Sequence, residues 1–583
     1  MTDHQPTMDD ALVLLQKHWG FDTLRKAQEE SLEAIIAGLD LLAILPTANG
    51  KSAIFQIAAL LYPGTAIVVS PLIALMKDQV EDCHKRKIPA SFINSSLDES
   101  EIEDRLNNFR YGEYKVFYVS PERLDSHRFR DAVDVTPINF LVVDEVHCIS
   151  RNGHDFRPAY MRIGQIKASI QGGARIIAVT ATATKEIEGD IVKSLGMGDY
   201  RRVVGDPVRP NLDYVVWNGN PNHNFSRYAK SYITGEGRHI IYGGTRKKCE
   251  NLAEDIVRQN PTMRHKVGVY HAGMNKLERE ETQDKFKRGL FTTVVATNAF
   301  GMGIDIPDIR TVCHFGIPGC LEDYCQEAGR AGRDGKPSTV ILIHDEYAVD
   351  MRQKFIDNGN PPYTAFQVVW KWLTTVHEFG ETISLTGETI SIEIARTMNL
   401  TLPPEQVLGA LHTMDSYQII ERRACDAGLT VSFVGDKGKL ALAQAELSES
   451  KMAVLTNLCA RYDAEAVAPV VIGAEGVQAG ERPRIVDFLV DRDALGLACS
   501  LSQTAVSSAL KTLRDAGILE LGAVFRGKTT KVKPEFFAGA ITEMIPVENI
   551  EARRRREKMR LQIMCGYISA IDKRGYIRRY FES

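Results

Sequence analysis

Cysteine is scarce: the chain has ten in 583 residues, and no two are spaced as Cys-x-x-Cys. A disulfide scaffold is therefore not expected. Long hydrophobic runs are missing too. No stretch reaches the roughly 18 apolar residues that a membrane-spanning helix needs. The first twenty residues lack a basic region followed by an apolar core, so no secretory signal is read there. An excess of one charge is also absent, since the formal net charge is −4. Any nucleic-acid site must then be a local patch rather than a property of the whole surface. With 44% hydrophobic and 25% charged residues, the chain is not disordered, collagenous or coiled-coil in composition. These exclusions leave an intracellular globular protein with no membrane contact. At roughly 150 residues per domain it should hold about four domains.

Short β-branched and aliphatic runs, bounded by polar or turn residues, occur at 41–45, 66–69, 116–119, 140–143 and 176–179. Runs of this kind suit parallel strands buried on both faces. Helical stretches such as 53–61 and 102–109 alternate with them. A proline-punctuated segment, 207–221, reads as a connector. The rhythm then restarts, with strands expected at 239–242, 266–270, 293–296, 311–314 and 340–343. Two tandem α/β units with parallel sheets are predicted, with a cleft between them. After about residue 346 helices dominate. Segments 392–399 and 404–419 suggest a helix–turn–helix followed by a strand at 429–434. Segment 500–513 leads to a strand at 518–521 and a basic hairpin at 522–533. Each is winged-helix-like or simply helical. The expected boundaries are 1–206, 207–346, 347–440, 441–540 and 541–583.

The segment Thr47-Ala48-Asn49-Gly50-Lys51-Ser52 joins a strand to a helix. Backbone N–H groups of such a loop can cradle phosphate oxygens. Lys51 would reach the β/γ-phosphates and Ser52 would bind Mg²⁺. The strict phosphate-loop pattern fails at its first glycine, where Leu45 stands. A second strand ends in Asp144-Glu145. Asp144 would contact the metal, and Glu145 is placed to deprotonate an attacking water. Phosphoryl transfer also needs positive charge from the far side. Arg330 and Arg333, three residues apart and at helical spacing on one face, would bring it from the second unit as the cleft closes.

Taken in order, these segments resemble a superfamily 2 helicase, and within it the RecQ family. Trp19-Gly20-Phe21 with Arg25 and Gln28 resembles the adenine-reading motif. Asp144-Glu145-Val146-His147 is a DExH box, continued by 148–150 and by His154, Phe156 and Arg157. Ser70-Pro71 through Lys77 and Gln79, and Ser120-Pro121-Glu122-Arg123, resemble the motifs that contact a DNA backbone. Thr180-Ala181-Thr182-Ala183 resembles the motif linking hydrolysis to domain movement. In the second unit Thr245 and Arg246, His271, Ala296-Thr297, Gly303 with Asp305, and Gln326 through Arg333 recur in family order. The match covers residues 15–345. The resemblance implies two RecA-like domains and an ATP- and Mg²⁺-dependent DNA helicase acting 3′→5′ on single strands and duplex junctions in recombination or repair. The compartment would be cytoplasm or nucleoid in a prokaryote and nucleus in a eukaryote. It assigns Phe21, Arg25, Gln28, residues 47–52, Gly303 and Asp305 to the nucleotide. It assigns Ser70, Pro71, Lys77, Gln79, Ser120, Pro121, Glu122, Arg123, His154, Phe156, Arg157, Thr245, Arg246, His271, Ala296 and Thr297 to DNA. His147 is expected to bond to Gln326 across the cleft; His271 could equally be structural. An RNA helicase, or a DNA-binding scaffold with a weakened ATPase, are the alternatives.

The chain departs from the family pattern. Ala48-Asn49 replace the usual glycines, which predicts slow ATP turnover; Ala48→Gly with Asn49→Gly should raise steady-state kcat. Asn152 stands where a tryptophan is usual, removing a stacking platform worth about 1–3 kcal/mol of base contact. Residues 553–581 resemble the helical hairpin that carries the family's zinc, yet no Cys occupies 572–574, and Cys565 alone cannot make a four-ligand site. No zinc is expected. Residues 551–583 hold ten Arg/Lys and four Asp/Glu, a balance of +6. That tail either binds DNA phosphates or is a solvated helical face.

Overall fold

The computed structural model describes residues 5–46, 49–71, 73–150, 157–170, 173–233, 236–301, 306–377, 382–383, 385–433, 448–466, 487–491, 495, 498–515 and 518–582. Two compact units form: residues up to Phe355 together with 555–583, and residues Ile356–Arg554.

In the first unit, seven strands make one parallel sheet: β1 (Asp40–Ile44), β2 (Thr65–Val69), β3 (Ala90–Ile93), β4 (Val116–Val119), β5 (Ile138–Val143), β6 (Arg175–Thr180) and β7 (Tyr200–Val204). Their order is β3-β4-β2-β5-β6-β1-β7. Successive residues point to opposite faces, and both faces are buried. Leu42, Ile67, Phe117 and Leu141 lie in one core, while Leu41, Val68, Tyr118 and Val142 lie in the other. This is why the strands read as unbroken apolar runs.

A second parallel sheet has six strands: β8 (Leu212–Asn218), β9 (Arg238–Tyr242), β10 (Val267–Tyr270), β11 (Thr293–Ala296), β12 (Ile309–Phe315) and β13 (Ser338–His344). The order is β10-β11-β9-β12-β13-β8. The tandem RecA-like architecture is thus in place. One face of this sheet packs on Leu252, Ile256 and Tyr228. The other face is covered partly by the final helices, Val547–Ser569 and Lys573–Glu582, through Met564, Tyr567, Ile577 and Phe581.

The segment expected to be a plain connector, 207–221, contains β8. Flanking prolines at 207, 210 and 221 mask a strand whose residues are only half-buried at the sheet edge. β7, with Arg201 and Arg202 on an exposed edge, and the four-residue β3 were not anticipated either.

The second unit holds helices Gly387–Met398 and Pro404–Ser416, separated at Asn399, whose φ is +54°. Four antiparallel strands form a sheet beside them in the same unit: β14 (Thr382–Ile383), which precedes the helices, then β15 (Ile420–Phe433), β16 (Asp487–Asp491) and β17 (Leu519–Val532), ordered β14-β17-β15-β16. The basic hairpin expected at 522–533 is instead one fourteen-residue strand. It pairs with β15 from Ile420↔Val532 to Phe433↔Leu519. A boundary at 440 would cut this sheet in two, so 347–440 and 441–540 are not separate modules. Among the described residues no helix is long and apolar enough to cross a membrane.

Candidate nucleotide and nucleic-acid sites

β1 and β5 flank β6, so three strand ends face one crevice. Ligands of open parallel sheets bind at such carboxyl edges. The loop after β1 is fixed where Leu45 N–H donates to Thr180 O at 2.9 Å. Gly50 caps the Lys51–Leu61 helix with φ +72° and ψ +35°. A side chain there would be strained, and its Cβ would collide with the Gln28 amide. Gln28 is buried, donates Nε2–H to Gly50 O at 3.2 Å and accepts from Arg25 N–H at 3.0 Å. In this state the amide assigned to adenine is thus bound to the phosphate loop itself. Phe21, seven residues before Gln28, is 62% exposed. Lys51 and Ser52 begin the helix, half-buried, and Asn49 precedes Gly50. Thr47 and Ala48 lie outside the described residues.

At the end of β5, Asp144 N–H donates to Val69 O at 2.9 Å, and Tyr160 Oη–H donates to Asp144 O at 2.9 Å. Burial, and next the Glu145 charge, push the Asp144 carboxyl up to about 7; Lys51 pulls it down. Lys51 and Asp144 are thus electrostatic neighbours. Glu145 has φ +47°, the left-handed region, at a cost of order 1–3 kcal/mol. Its N–H donates to Asp144 Oδ1 at 2.9 Å. Its buried Oε2 has no hydrogen-bond partner among the described residues and lies 3.4 Å from His147 Nδ1. An acidic pair with an unmet oxygen, one lysine and a helix N-terminus are chemically suited to a magnesium–triphosphate.

His147 does not behave as anticipated. Its Nδ1 lies 2.7 Å from Thr180 Oγ1, within its own lobe, rather than toward Gln326. Thr180 Oγ1 donates onward to Thr182 O at 3.1 Å. With the Thr180 hydroxyl donating to Thr182 O, the tautomer protonated on Nδ1 satisfies the contact to Thr180 and faces Glu145.

In the second lobe the helix bearing Gln326 ends at Ala328, and Arg330 and Arg333 sit in the turn beyond it. The helical face expected for the two arginines is absent because the turn carries Gly332 at φ +57°. Arg330 is buried, donates to Gly301 O and lies beside Tyr242. Gly303 and Asp305 lie outside the described residues. Sequence reasoning missed Arg209 and Asn211. Arg209 donates to Gly329 O at 2.8 Å, Gly332 O at 3.2 Å and Ala331 O; Asn211 donates to Gly332 O at 2.8 Å and Lys336 O at 2.9 Å. Burial lowers the Arg209 pKa to about 10, opposed by Tyr214 and reinforced by the charges of Arg333 and of Arg25 from the first lobe. Three guanidinium groups of two lobes therefore come near one another, a placement that a polyanion would relieve.

The residues expected at nucleic acid gather at other strand ends. Ser70 and Pro71 follow β2, and Ser120 follows the neighbouring β4 and precedes Pro121, Glu122 and Arg123 in a short helical turn. Ser70 Oγ and Gln79 Oε1 are buried without a hydrogen-bond partner among the described residues. Lys77 shares the helix of Gln79. Arg157 donates to Pro71 O at 3.1 Å, tying two of these segments together. His154 and Phe156 lie outside the described residues. In the second lobe Thr245 caps the helix that Arg246 begins, His271 is held by Glu250 at 3.1 Å, and Thr297 N–H donates to Tyr270 O at 3.2 Å. Arg246 lies against Gly273. These groups share the edge of adjacent β9, β11 and β10.

The tail spends much of its charge internally. Arg578 pairs with Asp206, Arg574 and Lys573 donate to backbone carbonyls, and Arg554 pairs with Asp357. At 572–574 the donor set does not fit zinc: Asp572 accepts Gly575 N–H, and the next two residues are basic.

Residues 25–189 match the DEAD/DEAH box helicase family model, and residues 227–335 match the helicase conserved C-terminal domain. The ATP-dependent DNA helicase RecQ of Haemophilus influenzae is 37% identical over 372 residues, covering 64% of this chain and 59% of that protein. The chain thus spans little more than half that relative's length. The RecQ of Synechocystis is 34% identical over 355 residues, covering 59% of this chain and 72% of its own. The crystal structure of the DUF1998 helicase MrfA bound to DNA superposes with a TM-score of 0.50 at 19% identity, over 59% of this chain and 52% of that one, a likeness of fold. Ordered motifs, paired RecA-like sheets and a relative matched over more than two thirds of its length together make this chain a member of the RecQ helicase family.

Proposed function

We propose that the chain is an ATP-driven DNA motor of RecQ type, moving 3′→5′ along single-stranded DNA and opening duplexes and junctions in recombination or repair. One observation carries the reading. Lys51, Asp144 and Glu145 meet at the carboxyl edge of the first sheet, on either side of β6, with burial pushing the Asp144 pKa up to about 7 and a buried Glu145 oxygen without a hydrogen-bond partner among the described residues.

In this reading Lys51 would pair with the β/γ-phosphates, and Ser52 and Asp144 would hold Mg²⁺. The metal, when bound, supplies charge neutralisation between the phosphates. Glu145 accepts the proton of the attacking water. Gln28 exchanges its bond to Gly50 for the adenine edge, with Phe21 and Arg25 alongside. His147 carries the state of Glu145 to Thr180 and so to the 180–183 segment. Arg330 and Arg333 add positive charge from the second lobe. The strand runs over residues 70–79, 120–123 and Arg157 in one lobe, and over 245–246, 271 and 296–297 in the other. Alternating cleft closure would ratchet it along.

Strand displacement on 3′- and 5′-tailed duplexes, with wild type beside Lys51→Ala, tests the reading. Unwinding confined to 3′ tails and lost in the variant is expected. ATPase stimulation by single-stranded RNA but not DNA would favour the RNA alternative, and DNA binding without ATPase would favour the scaffold.

A further inference from the structure

The geometry points to the final helix pair, Val547–Ser569 and Lys573–Glu582, as the brace that positions the Arg330–Arg333 turn, acting through the 206–212 segment on one side and the Leu321–Ala328 helix on the other. The inference rests on the proposed ATPase reading, in which those arginines serve hydrolysis.

The first arm starts at the tail. Arg578 grips Asp206 with N–O distances of 2.8, 3.0 and 3.2 Å. One turn earlier, Arg574 donates to Leu212 O at 2.6 Å and Pro210 O at 3.4 Å. Between these fixed points stand Arg209 and Asn211. Arg209 reaches the carbonyls of residues 329, 331 and 332, those on either side of Arg330, and Asn211 reaches those of 332 and 336. A planar fork can hold several carbonyls at fixed angles, which an ammonium cannot do. The second arm reaches the helix that leads into the turn. Tyr580 Oη–H donates to the buried Glu322 Oε1 at 2.6 Å, and the buried Tyr567 and Tyr324 hydroxyls are 2.7 Å apart. Met564, Tyr567, Ile577 and Phe581 share a core with Ala328 and Ala331. The turn is therefore held before, within and after Arg330 by contacts that trace back to the tail. A misplacement of about an ångström at a charge-delivering group can cost on the order of a hundredfold in rate.

Steady-state ATPase of the full chain with saturating single-stranded DNA tests this, with kcat and KM for ATP measured separately and DNA affinity measured alongside. The variants are Arg578→Ala, the exchange Asp206→Arg with Arg578→Asp, and Arg209→Lys, each checked by thermal melting. Arg578→Ala should lower kcat about tenfold while KM and DNA affinity stay within about twofold, since it removes only positioning. The charge exchange should restore most of the loss. Arg209→Lys should fall further, by about a hundredfold. Arg578 lies on the surface, so its variants carry the test if Arg209→Lys melts early. Unchanged kcat in Arg578→Ala overturns the brace, as does a loss shared equally with DNA affinity, or one that the exchange does not restore. Lys51→Ala separates the two ideas. A wild type without ATPase sinks the functional reading, and the brace with it. Active wild type and dead Lys51→Ala beside fully active brace variants sink the brace alone.

Discussion

Asp144 is pulled two ways: enclosure and the adjacent Glu145 oppose its ionisation, and Lys51 favours it. Glu145 is held by contrast in a costly backbone conformation, with an oxygen that has no hydrogen-bond partner among the described residues. Strain of this kind persists only where surrounding bonds over-determine it, here the Tyr160 and Val69 contacts on Asp144. Glu145→Gln keeps the shape and removes the base, so ATP binding should persist while hydrolysis falls about 10²–10⁴-fold; single-turnover kinetics beside nucleotide titration would show the split. Gly50→Ala should act differently. It meets a positive φ and the Gln28 amide together, so both nucleotide affinity and melting temperature should drop, by about 1 kcal/mol or more in stability. Lys51, Asp144 and Glu145 were legible because each signal is local, a few residues next to a strand. Arg209 was not legible, because its carbonyl partners lie 120 to 123 residues away. The same holds for His147, whose bond to Thr180 spans 33 residues.

Strands of the central sheets could be read from sequence since burial on both faces demands apolar residues throughout. Edges obey other rules: β7 shows Arg201 and Arg202 to solvent, and β8 hides between prolines. The β15–β17 pairing has no local signature, and a basic stretch with a glycine reads as a hairpin when its partner is a hundred residues off. The final helix pair carries a pH-dependent contact of its own. Burial would raise the Asp206 pKa, but the bonds from Arg578 and Val208 N–H leave it lowered. The pair therefore contributes fully above the unfolded carboxylate value of about 3.9, and the contribution disappears as pH falls through the lower folded value. Because both groups are half in water, the effect on global stability is small. The melting difference between wild type and Asp206→Asn should be present at pH 6 and vanish in strong acid.

Across the whole first unit, the two RecA-like lobes touch through Lys287 Nζ and Asp78 Oδ1 at 3.1 Å, half-exposed. Lys287→Glu replaces attraction with repulsion. A more open average should result in low salt, seen as a larger radius of gyration by small-angle scattering, and it should shrink toward wild type as salt screens the pair. The effect on global stability should stay within about 1 kcal/mol.

Lobe 2 completes its inner core with side chains from 564 to 581, after a unit of some two hundred residues has intervened. During synthesis at about 5–20 residues per second, that sheet must wait tens of seconds with one face uncovered. A ribosome stalled anywhere in the intervening unit would leave a nascent chain able to finish its first lobe but not its second. Such fragments would be natural clients for chaperones, and co-expression with the 547–582 peptide offers a way to rescue them.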